Sequence, residues 1–289
     1  NNGGLISLRY KGKEILDRKP NLVFYRASTD NDRGCQYMYD SGIWEFVERW
    51  QRCIDFKVEE TDTKVVVRYT YELPISEDSV LIVADKREKP SKLAGKENKG
   101  NGRKGIRTEI VYTVTADGKV NISLHYHGAK GLPELPLFGM EFPLKREFEQ
   151  FAYYGIGPDE NYVDRNNGGK IGIFASTVTE NYSPYLKPQS CGNRTETRWL
   201  ELSDGEGKIR FSADVQGRPF QFTALHYRES ELENAMHTGD LPAENYTYVK
   251  ILAKHMGVGG DDSWGSQVRE NCRVTAEEDI LYSFDITME

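Results

Sequence analysis

Alternating apolar and polar positions recur along most of the chain. Residues 65–71, 110–114 and 120–126 carry apolar side chains at every second position and are rich in β-branched and aromatic residues, a pattern typical of strands. The stretch between the last two runs contains Asp117 and Gly118, which indicates a hairpin. Similar runs follow at residues 170–174, 209–213, 220–225, 249–252 and 281–286. Many short strands with turns at close intervals predict an all-β fold, a large antiparallel sandwich.

Three segments depart from this alternation. Residues 43–50 place Trp44 and Val47 at helical spacing, which predicts a helix whose aromatic side chains serve packing. Residues 230–235 predict a second short helix. Residues 24–34 change from apolar to charged and turn-forming, as expected for a strand that ends in a structured loop.

The organisation of the chain is that of a single domain over residues 1–289, because no internal repeat and no Pro-rich linker divides it. Residues 86–107 are rich in Lys, Glu, Gly and Asn and offer little apolar area to offset the entropy of ordering. They are expected to form a mobile surface insertion. The sequence begins with Asn1 and enters a strand-like pattern at once, which indicates a domain excised from a longer chain or a separate small subunit.

Charge and composition narrow the possible partners. The 289 residues include 45 Asp and Glu against 38 Lys and Arg, a formal net charge of −7, which disfavours nucleic acid as a partner. No run approaches the roughly 20 apolar residues that span a bilayer, so no membrane role is expected. The four cysteines are far apart without CxxC spacing. This argues against a structural zinc site and for free thiols in a cytoplasmic protein.

Histidine placement raises one metal-binding possibility. His125 and His127 stand two apart on a predicted strand and therefore share one face of it. A metal site with protein ligands needs at least one more, and no third ligand stands near them in the sequence. The sequence therefore predicts no metal site in this chain.

The most informative stretch lies at residues 255–264. It follows a predicted strand and combines three glycines with Asp261, Asp262 and Trp264. Glycine allows close backbone approaches, and a tryptophan on a loop can stack on a ligand ring while its N–H stays hydrogen-bonded. A plain turn with a core tryptophan is the alternative interpretation of the same residues.

Residues 155–165 and 180–194 form two further concentrated blocks. The first contains Gly-Ile-Gly but lacks the third glycine and the following helix of a dinucleotide fingerprint, so nicotinamide binding is not expected. Its Asp164 and Arg165 are expected to pair with neighbours and hold a loop rigid. The second block contains two prolines and predicts a rigid surface loop, which lines a sugar site or contacts a partner domain.

Carboxylates on these loops are candidates for glycoside hydrolysis, which requires two facing carboxyl groups. The sequence does not show which of them come together, and each is also explained as a capping or turn residue. The candidates are Asp30, Asp32, Asp159, Glu160, Asp261 and Asp262.

Four blocks, in this order, resemble the C-terminal domain of the large bacterial β-galactosidases of glycoside hydrolase family two, which also occurs as a separate small subunit. They begin with Arg-Ala-Ser-Thr-Asp-Asn-Asp at residues 26–32 and include residues 155–165, 182–194 and 255–264. The resemblance covers nearly the whole chain. It implies a large antiparallel β-supersandwich similar to that of galactose mutarotase.

The resemblance also implies roles for individual residues. In that family the catalytic carboxylates lie in a separate TIM-barrel domain, so this chain is expected to hold no catalytic residue and to complete one wall of the active site. Trp264 is implied to stack against the substrate. A loop implied to close over the site matches Asp30, Asn31, Asp32 and Gly34. The residues expected to support the Trp264 segment are His255, Asp261 and Asp262.

The implied reaction is the hydrolysis of terminal non-reducing β-D-galactose residues in β-galactosides such as lactose, with retention. The implied partners are the remaining domains or the large subunit of the enzyme, which is expected to be a homo-oligomer, and the galactoside substrate. No cofactor is expected in this chain, and Mg²⁺ and Na⁺ are expected in the catalytic portion. One position departs from the family, because an acidic residue is usual about three positions after the glycine that matches Gly34, where this chain has Tyr37.

Two other classes of function remain open. A free-standing mutarotase-like aldose epimerase requires a histidine and a carboxylate that converge over the anomeric carbon of a sugar, and His125, His127 and Glu141 are the candidates. A non-catalytic carbohydrate-binding module would use Trp264 and Tyr185 as a stacking platform.

Overall fold

Antiparallel sheets make up most of the structure, a computed structural model that describes residues 3–75, 105–262 and 264–289. Every strand pair in these residues is antiparallel. The prediction of a large all-β antiparallel sandwich is therefore confirmed. The insertion predicted at residues 86–107 lies outside the described residues except for its last three positions.

Each of the eight runs predicted as strands lies within a strand of the structure, whereas the strands at residues 137–145, 150–157, 194–197 and 199–203 were not predicted. The strand bounds are β1 (Arg9–Tyr10), β2 (Lys13–Glu14), β3 (Asn21–Val23), β4 (Arg52–Glu60), β5 (Lys64–Glu72), β6 (Arg107–Thr115), β7 (Val120–Tyr126), β8 (Leu137–Lys145), β9 (Gln150–Gly157), β10 (Lys170–Thr177), β11 (Arg194–Thr197), β12 (Trp199–Ser203), β13 (Lys208–Ala213), β14 (Phe220–Leu225), β15 (Tyr246–His255) and β16 (Ile280–Met288). The helices are α1 (Asp30–Gly34), α2 (Met38–Ser41), α3 (Ile43–Trp50) and α4 (Glu229–Asn234), with 3₁₀ turns at Thr238–Asp240 and Glu270–Cys272.

Two large sheets face each other. The first has nine strands in the order β10-β9-β12-β13-β16-β7-β6-β5-β4, and the second has five in the order β11-β14-β15-β8-β3. β1 and β2 form a separate two-stranded ribbon. The last strand of the chain, β16, thus lies in the middle of the larger sheet.

The main core fills the space between the two sheets. Phe142 of β8 contacts Phe211 of β13 and Phe284 of β16, with ring centroids 5.0 and 6.0 Å apart. All three side chains are fully buried, and each such burial contributes about 2 kcal/mol to the free energy of unfolding. Because β7 alternates buried and half-buried positions along its length, its other face is left towards solvent.

The five-stranded sheet is covered on its other face as well. β8 is buried at eight consecutive positions, and a continuous buried run is typical of a strand with protein on both sides. The covering layer is a second apolar cluster formed by Ala27, Cys191, Leu225, Tyr227 and Leu232. This layer places the segments after β3 and before β11 against the sheet.

The predicted helices are confirmed as α3 and α4, but the prediction that the aromatic side chains of α3 serve packing holds for Trp44 only, since Phe46 and Trp50 are exposed. Trp44 of α3 is fully buried, stacks on Phe24 at 5.9 Å and donates its indole N–H to the carbonyl of Glu134 at 3.1 Å. α1 was expected to be part of a loop and is instead a helical turn. Its first turn is stabilised by a capping box between Thr29 and Asp32. Among the described residues, no helix has the length and apolar character required to cross a membrane.

Candidate functional site

The four sequence blocks meet at one end of the strands of the five-stranded sheet. β3 and β15 both pair antiparallel with β8, so they run in the same direction and stop at the same end of the sheet. Residues 24–34 continue from β3, and residues 256–268, called the tryptophan loop below, continue from β15. Segments from residues 155–165 and 182–194 pack against both.

One cleft of about 400 Å³ lies between these segments. Clefts of about 300–1,000 Å³ are typical of small-molecule sites. Polar groups and two tyrosine rings share its wall, an arrangement that can hold a ring carrying several hydroxyl groups. The lining residues are Thr29, Asp30, Asn31, Glu160, Tyr162, Arg165, Tyr185, Gln189, Ser190, Val258, Gly259 and Gly260.

A buried ion pair fixes α1 against the tryptophan loop. Arg26 and Asp32 are both fully buried, and the guanidinium donates to the carboxylate from Nε at 3.1 Å and from Nη2 at 2.8 Å. The same guanidinium donates to the carbonyls of Met256 at 3.1 Å and Gly257 at 2.9 Å. Asp32 therefore faces the interior and positions α1, and its carboxylate does not line the cleft.

Asn31 and Asp30 are the members of the predicted active-site loop that do line the cleft. Asn31 donates from Nδ2 to the carbonyls of Val258 at 3.1 Å and Ser266 at 2.9 Å, which connects α1 to both limbs of the tryptophan loop. Asp30 donates its backbone N–H to the side-chain oxygen of Gln189 at 2.7 Å. Its carboxylate is exposed.

Two glycines set the distance between α1 and the tryptophan loop. Gly34 ends α1 and lies against Gly265. A Cβ added to Gly265 would lie 2.7 Å from the carbonyl oxygen of Gly34, and Gly265 has a φ of +83°. A larger residue at this position would separate the two segments and strain the backbone.

Asp164 and Arg165 hold the other side of the tryptophan loop. The carboxylate of Asp164 accepts the backbone N–H groups of Val258 at 3.0 Å and Gly259 at 2.8 Å, and Arg165 donates to the carbonyl of Gly259. A Cβ on Gly257 would lie 2.3 Å from Asp164. The sequence interpretation of this pair as a structural network that holds a loop rigid is confirmed.

Trp264 projects from the tryptophan loop into solvent, with 92% of its surface exposed. The carboxylate of Asp262 accepts the backbone N–H groups of Trp264 at 2.8 Å and Ser266 at 3.3 Å, so it fixes the turn that carries the indole. Asp261 pairs with Arg269 at the surface, at 2.8 Å. The alternative in which Trp264 is a core residue is wrong.

Glu160 and Tyr185 bond to each other at the cleft. The hydroxyl of Tyr185 donates to Oε1 of Glu160 at 2.5 Å, and the N–H of Gly192 donates to Oε2 at 2.7 Å. Burial and the Glu160 carboxylate raise the pKa of Tyr185, so it remains a donor. Residues 188–194 of this block are buried, which corrects the prediction of a surface loop over that part.

α4 supports the segment between β3 and α1 from behind. Glu229 accepts the backbone N–H of Ala27 at 2.7 Å and the ammonium of Lys250 at 2.6 Å. Glu233 accepts the backbone N–H of Ser28 at 2.5 Å. Glu229 and Lys250 are both buried. The position of this segment therefore depends on an ion pair in the interior, and neither carboxylate was identified as a site residue from the sequence.

Tyr37 stands at the position where the resemblance led us to expect an acid. Its hydroxyl donates to the carbonyl of Glu134 at 3.1 Å, which joins the segment after α1 to residues 132–134. Tyr37 also lines a larger cavity of about 640 Å³ between residues 35–41, 132–134 and 267–273. That cavity contains none of the site residues predicted from the sequence.

His255 ends β15 and is buried behind the cleft. The amide nitrogen of Asn193 donates to Asn161 and Gln221, so its oxygen faces His255 Nδ1 at 3.1 Å and accepts that proton. Nε2 of His255 has no hydrogen-bond partner among the described residues. Burial, with the positive charges of Arg26 and Lys250, lowers the pKa of His255 well below its usual value.

His255 is expected to make stability depend on pH. Below a pH of about 6.5 the unfolded chain binds a proton at this histidine that the folded chain does not. The free energy of unfolding therefore falls by up to about 1.4 kcal/mol for each unit by which the pH decreases. His255→Gln is expected to remove this slope, and the exposed His237→Gln is expected to keep it. Urea denaturation at pH values from 5 to 7.5 measures both. Equal slopes in His255→Gln and the parent would contradict the assignment.

The histidines and the carboxylate of the epimerase alternative do not converge. Glu141 lies on β8 of the five-stranded sheet, is buried and pairs with Arg228 at 3.0 Å. His125 of β7 and His127, which follows it, belong to the nine-stranded sheet and face Asp279. These residues therefore cannot act as an acid and base on one sugar.

The fold and the cleft together define a class of protein. The chain is an all-β antiparallel sandwich that presents an exposed tryptophan on a braced loop, next to a polar cleft built from segments far apart in sequence. The model of the family described as the β-galactosidase small chain matches residues 1–288. The chain belongs to this family.

Similar proteins are also named β-galactosidases. The chain is 32% identical to the β-galactosidase small subunit of Latilactobacillus sakei, with 99% of this chain and 90% of that one aligned. It is 36% identical to the β-galactosidases of Halalkalibacterium halodurans and Lactobacillus delbrueckii subsp. bulgaricus, over 98% and 96% of this chain. It spans only about a quarter of the length of those two proteins.

Solved structures with a similar fold include a galactose mutarotase-like protein from Lactobacillus casei. That structure has a TM-score of 0.44 and 12% sequence identity, and the alignment covers 96% of this chain and 90% of that one.

Proposed function

We propose that this chain completes one wall of the active site of a retaining β-galactosidase of glycoside hydrolase family two. The catalytic carboxylates lie in a TIM-barrel portion of the enzyme, which is a separate domain or a large subunit. The substrate is a β-galactoside such as lactose, and Trp264 stacks on it. Any Mg²⁺ or Na⁺ that the reaction uses is bound by the catalytic portion, so no step in this chain depends on either ion.

The observation that carries the proposal is the exposure of Trp264 on a loop whose residues 258–260 line a cleft that four separate segments build. Arg26, Asn31 and Asp164 hold the backbone of the tryptophan loop through six hydrogen bonds. The chain thus holds in place a loop whose largest side chain is 92% exposed and makes no ring contact with other described residues. Such an arrangement is expected where the opposing surface belongs to a ligand and to another part of the enzyme.

Exposed apolar side chains on both edge strands of the nine-stranded sheet fit a chain that packs against further protein. β4 exposes Ile54, Phe56 and Val58, and β10 exposes Ile171 and Ile173. Apolar rows on sheet edges are unfavourable in water and promote association. We expect the catalytic portion of the enzyme to cover at least one of these rows.

The proposal is tested by complementation. The chain encloses its own core, and a relative that it matches over 90% of that relative's length is a separate subunit, so it can be studied as a purified protein. We expect no hydrolysis of a chromogenic β-galactoside by the chain alone and activity after addition of the catalytic portion. Turnover by the chain alone would overturn the proposal.

Trp264→Ala is expected to lower kcat/KM of the complemented enzyme about tenfold, because a lost aromatic stacking contact costs about 1.4 kcal/mol. Trp264→Phe retains an aromatic face and is expected to recover most of the activity. Val215→Ala, in an exposed turn elsewhere, is the control and is expected to leave kcat/KM unchanged. If Trp264→Ala retained full activity with unchanged assembly, the stacking role would be wrong.

A further inference from the structure

His125, His127 and Asp279 form a cluster on the outer face of the nine-stranded sheet, away from the cleft. One ligand atom from each residue lies within 4.8 Å of those from the other two. The distance from His125 Nε2 to Asp279 Oδ2 is 2.7 Å, and that from His127 Nδ1 to the same oxygen is 3.8 Å. No third ligand for the histidine pair was recognised in the sequence, because Asp279 lies more than 150 positions further along the chain.

The backbone around the cluster is held rigid on both sides. Tyr126, between the two histidines, is fully buried and donates its hydroxyl to the carbonyl of Ala276 at 2.9 Å. The N–H of Gly128 donates to Oδ1 of Asp279 at 2.9 Å, which turns Oδ2 towards the histidines. A Cβ on Gly128 would lie 2.5 Å from the backbone of Glu277, so the two segments are in direct contact.

A second carboxylate lies near the other ring nitrogen of His127, beyond the distance of a direct hydrogen bond. Oε1 of Glu109 lies 3.8 Å from Nε2 of His127, on the side of the ring opposite to the nitrogen that faces Asp279. Oε2 of Glu109 is held by Arg68 at 2.8 Å. Histidine ligands of metal ions commonly direct their other ring nitrogen at a carboxylate, which fixes the ring and increases its basicity.

We propose that His125, His127 and Asp279 bind one Zn²⁺ ion, with a water molecule at the fourth position. Two imidazoles and one carboxylate suit Zn²⁺ and disfavour Mg²⁺ and Ca²⁺, which prefer oxygen ligands. Zinc requires ligand atoms about 2.0–2.2 Å from the metal. Small side-chain rotations bring the three atoms to that distance, because all three side chains are partly exposed.

The ion would join the end of β7 to the start of β16. A ligand that binds only the folded chain raises its stability in proportion to the logarithm of ligand concentration. The site is independent of the proposed galactosidase role, because none of its residues lines the cleft. Its presence or absence therefore leaves that proposal unchanged.

Calorimetric titration of the metal-free chain with ZnCl₂ tests the proposal. We expect one ion per chain, and a loss of affinity of about 100-fold or more in the double variant His125→Gln and His127→Gln and in Asp279→Asn. His237→Gln and Cys272→Ser are the controls, one for an exposed histidine elsewhere and one for a partly exposed thiol. Both are expected to bind as the parent does.

Thermal unfolding with and without Zn²⁺ distinguishes lost binding from lost folding. In EDTA the ligand variants are expected to melt within about 2 °C of the parent, because surface substitutions change stability little. Zn²⁺ is expected to raise the melting temperature of the parent and of both controls only. Absent binding in the parent, or binding that Cys272→Ser removes and the histidine variants retain, would overturn the proposal.

Discussion

Asp32→Ala is expected to lower the free energy of unfolding by about 3–5 kcal/mol, because it leaves the fully buried guanidinium of Arg26 without its carboxylate. The same substitution removes the acceptor for the backbone N–H of Thr29 and so weakens the start of α1. Most domains are stable by only about 5–15 kcal/mol, so a large share of the stability would be lost. Urea denaturation measures the change.

Asp30→Ala is the matched control, since Asp30 lies two positions earlier in the same helix with an exposed carboxylate. It is expected to change the free energy of unfolding by no more than about 0.5 kcal/mol. The double variant Arg26→Met with Asp32→Leu removes both charges and is expected to recover part of the loss. A cost below 1 kcal/mol for Asp32→Ala would show that the ion pair does not hold α1.

Lys250→Met is expected to cost a similar 3–5 kcal/mol at pH 7.5. Lys250 is buried, and although burial alone lowers its pKa, the carboxylates of Glu229 and Glu141 raise that pKa above the usual value. Without the ammonium, the carboxylates of Glu229, Glu141 and Glu48 lose a shared cation, and the guanidinium of Arg228 still pairs with Glu141. Because the backbone N–H of Ala27 donates a hydrogen bond to Glu229, the segment between β3 and α1 is also expected to shift.

The pH dependence of the stability of Lys250→Met distinguishes the effect of the lost charge from the effect of lost packing. Burial already raises the pKa of Glu141, and a carboxylate deprived of its cation is expected to take up a proton. The cost of Lys250→Met is therefore expected to be smaller at pH 5 than at pH 7.5. Lys254→Met, on the same strand with an exposed side chain, is the control and is expected to be neutral. An equal cost at both pH values would attribute the loss to packing.

Strands with one buried face could be predicted, whereas β8, which is buried on both faces, was missed because it shows no alternation. In β7 and β6 the side chains alternate between core and outer face, and that alternation is visible in the sequence. The helical turn of α1 was missed because it is too short for periodicity to show. The spacing of Thr29 and Asp32 matches a capping box and could have indicated the start of this helix. The same polar residues are equally common in turns.

The candidate site was only partly predictable. The blocks were found through resemblance, whereas their meeting depends on contacts such as Arg26 with Met256, which are 230 positions apart. Asp32 was assigned to the active-site loop and His255 to the support of the Trp264 segment. Both are buried, and the sequence of a loop does not reveal which of its polar side chains has an internal partner. Asp279 was overlooked for the same reason, since strand order decides which residues face His125.

The central place of β16 bears on how the chain is made. β16 pairs with β13 on one side and β7 on the other, so it joins two halves of the nine-stranded sheet. Until residues 280–288 leave the ribosome, β13 and β7 are open edges with unpaired backbone groups, which are prone to aggregate. The nascent chain thus has two unfinished ribbons until residues 280–288 have emerged, and the core between the sheets closes only then.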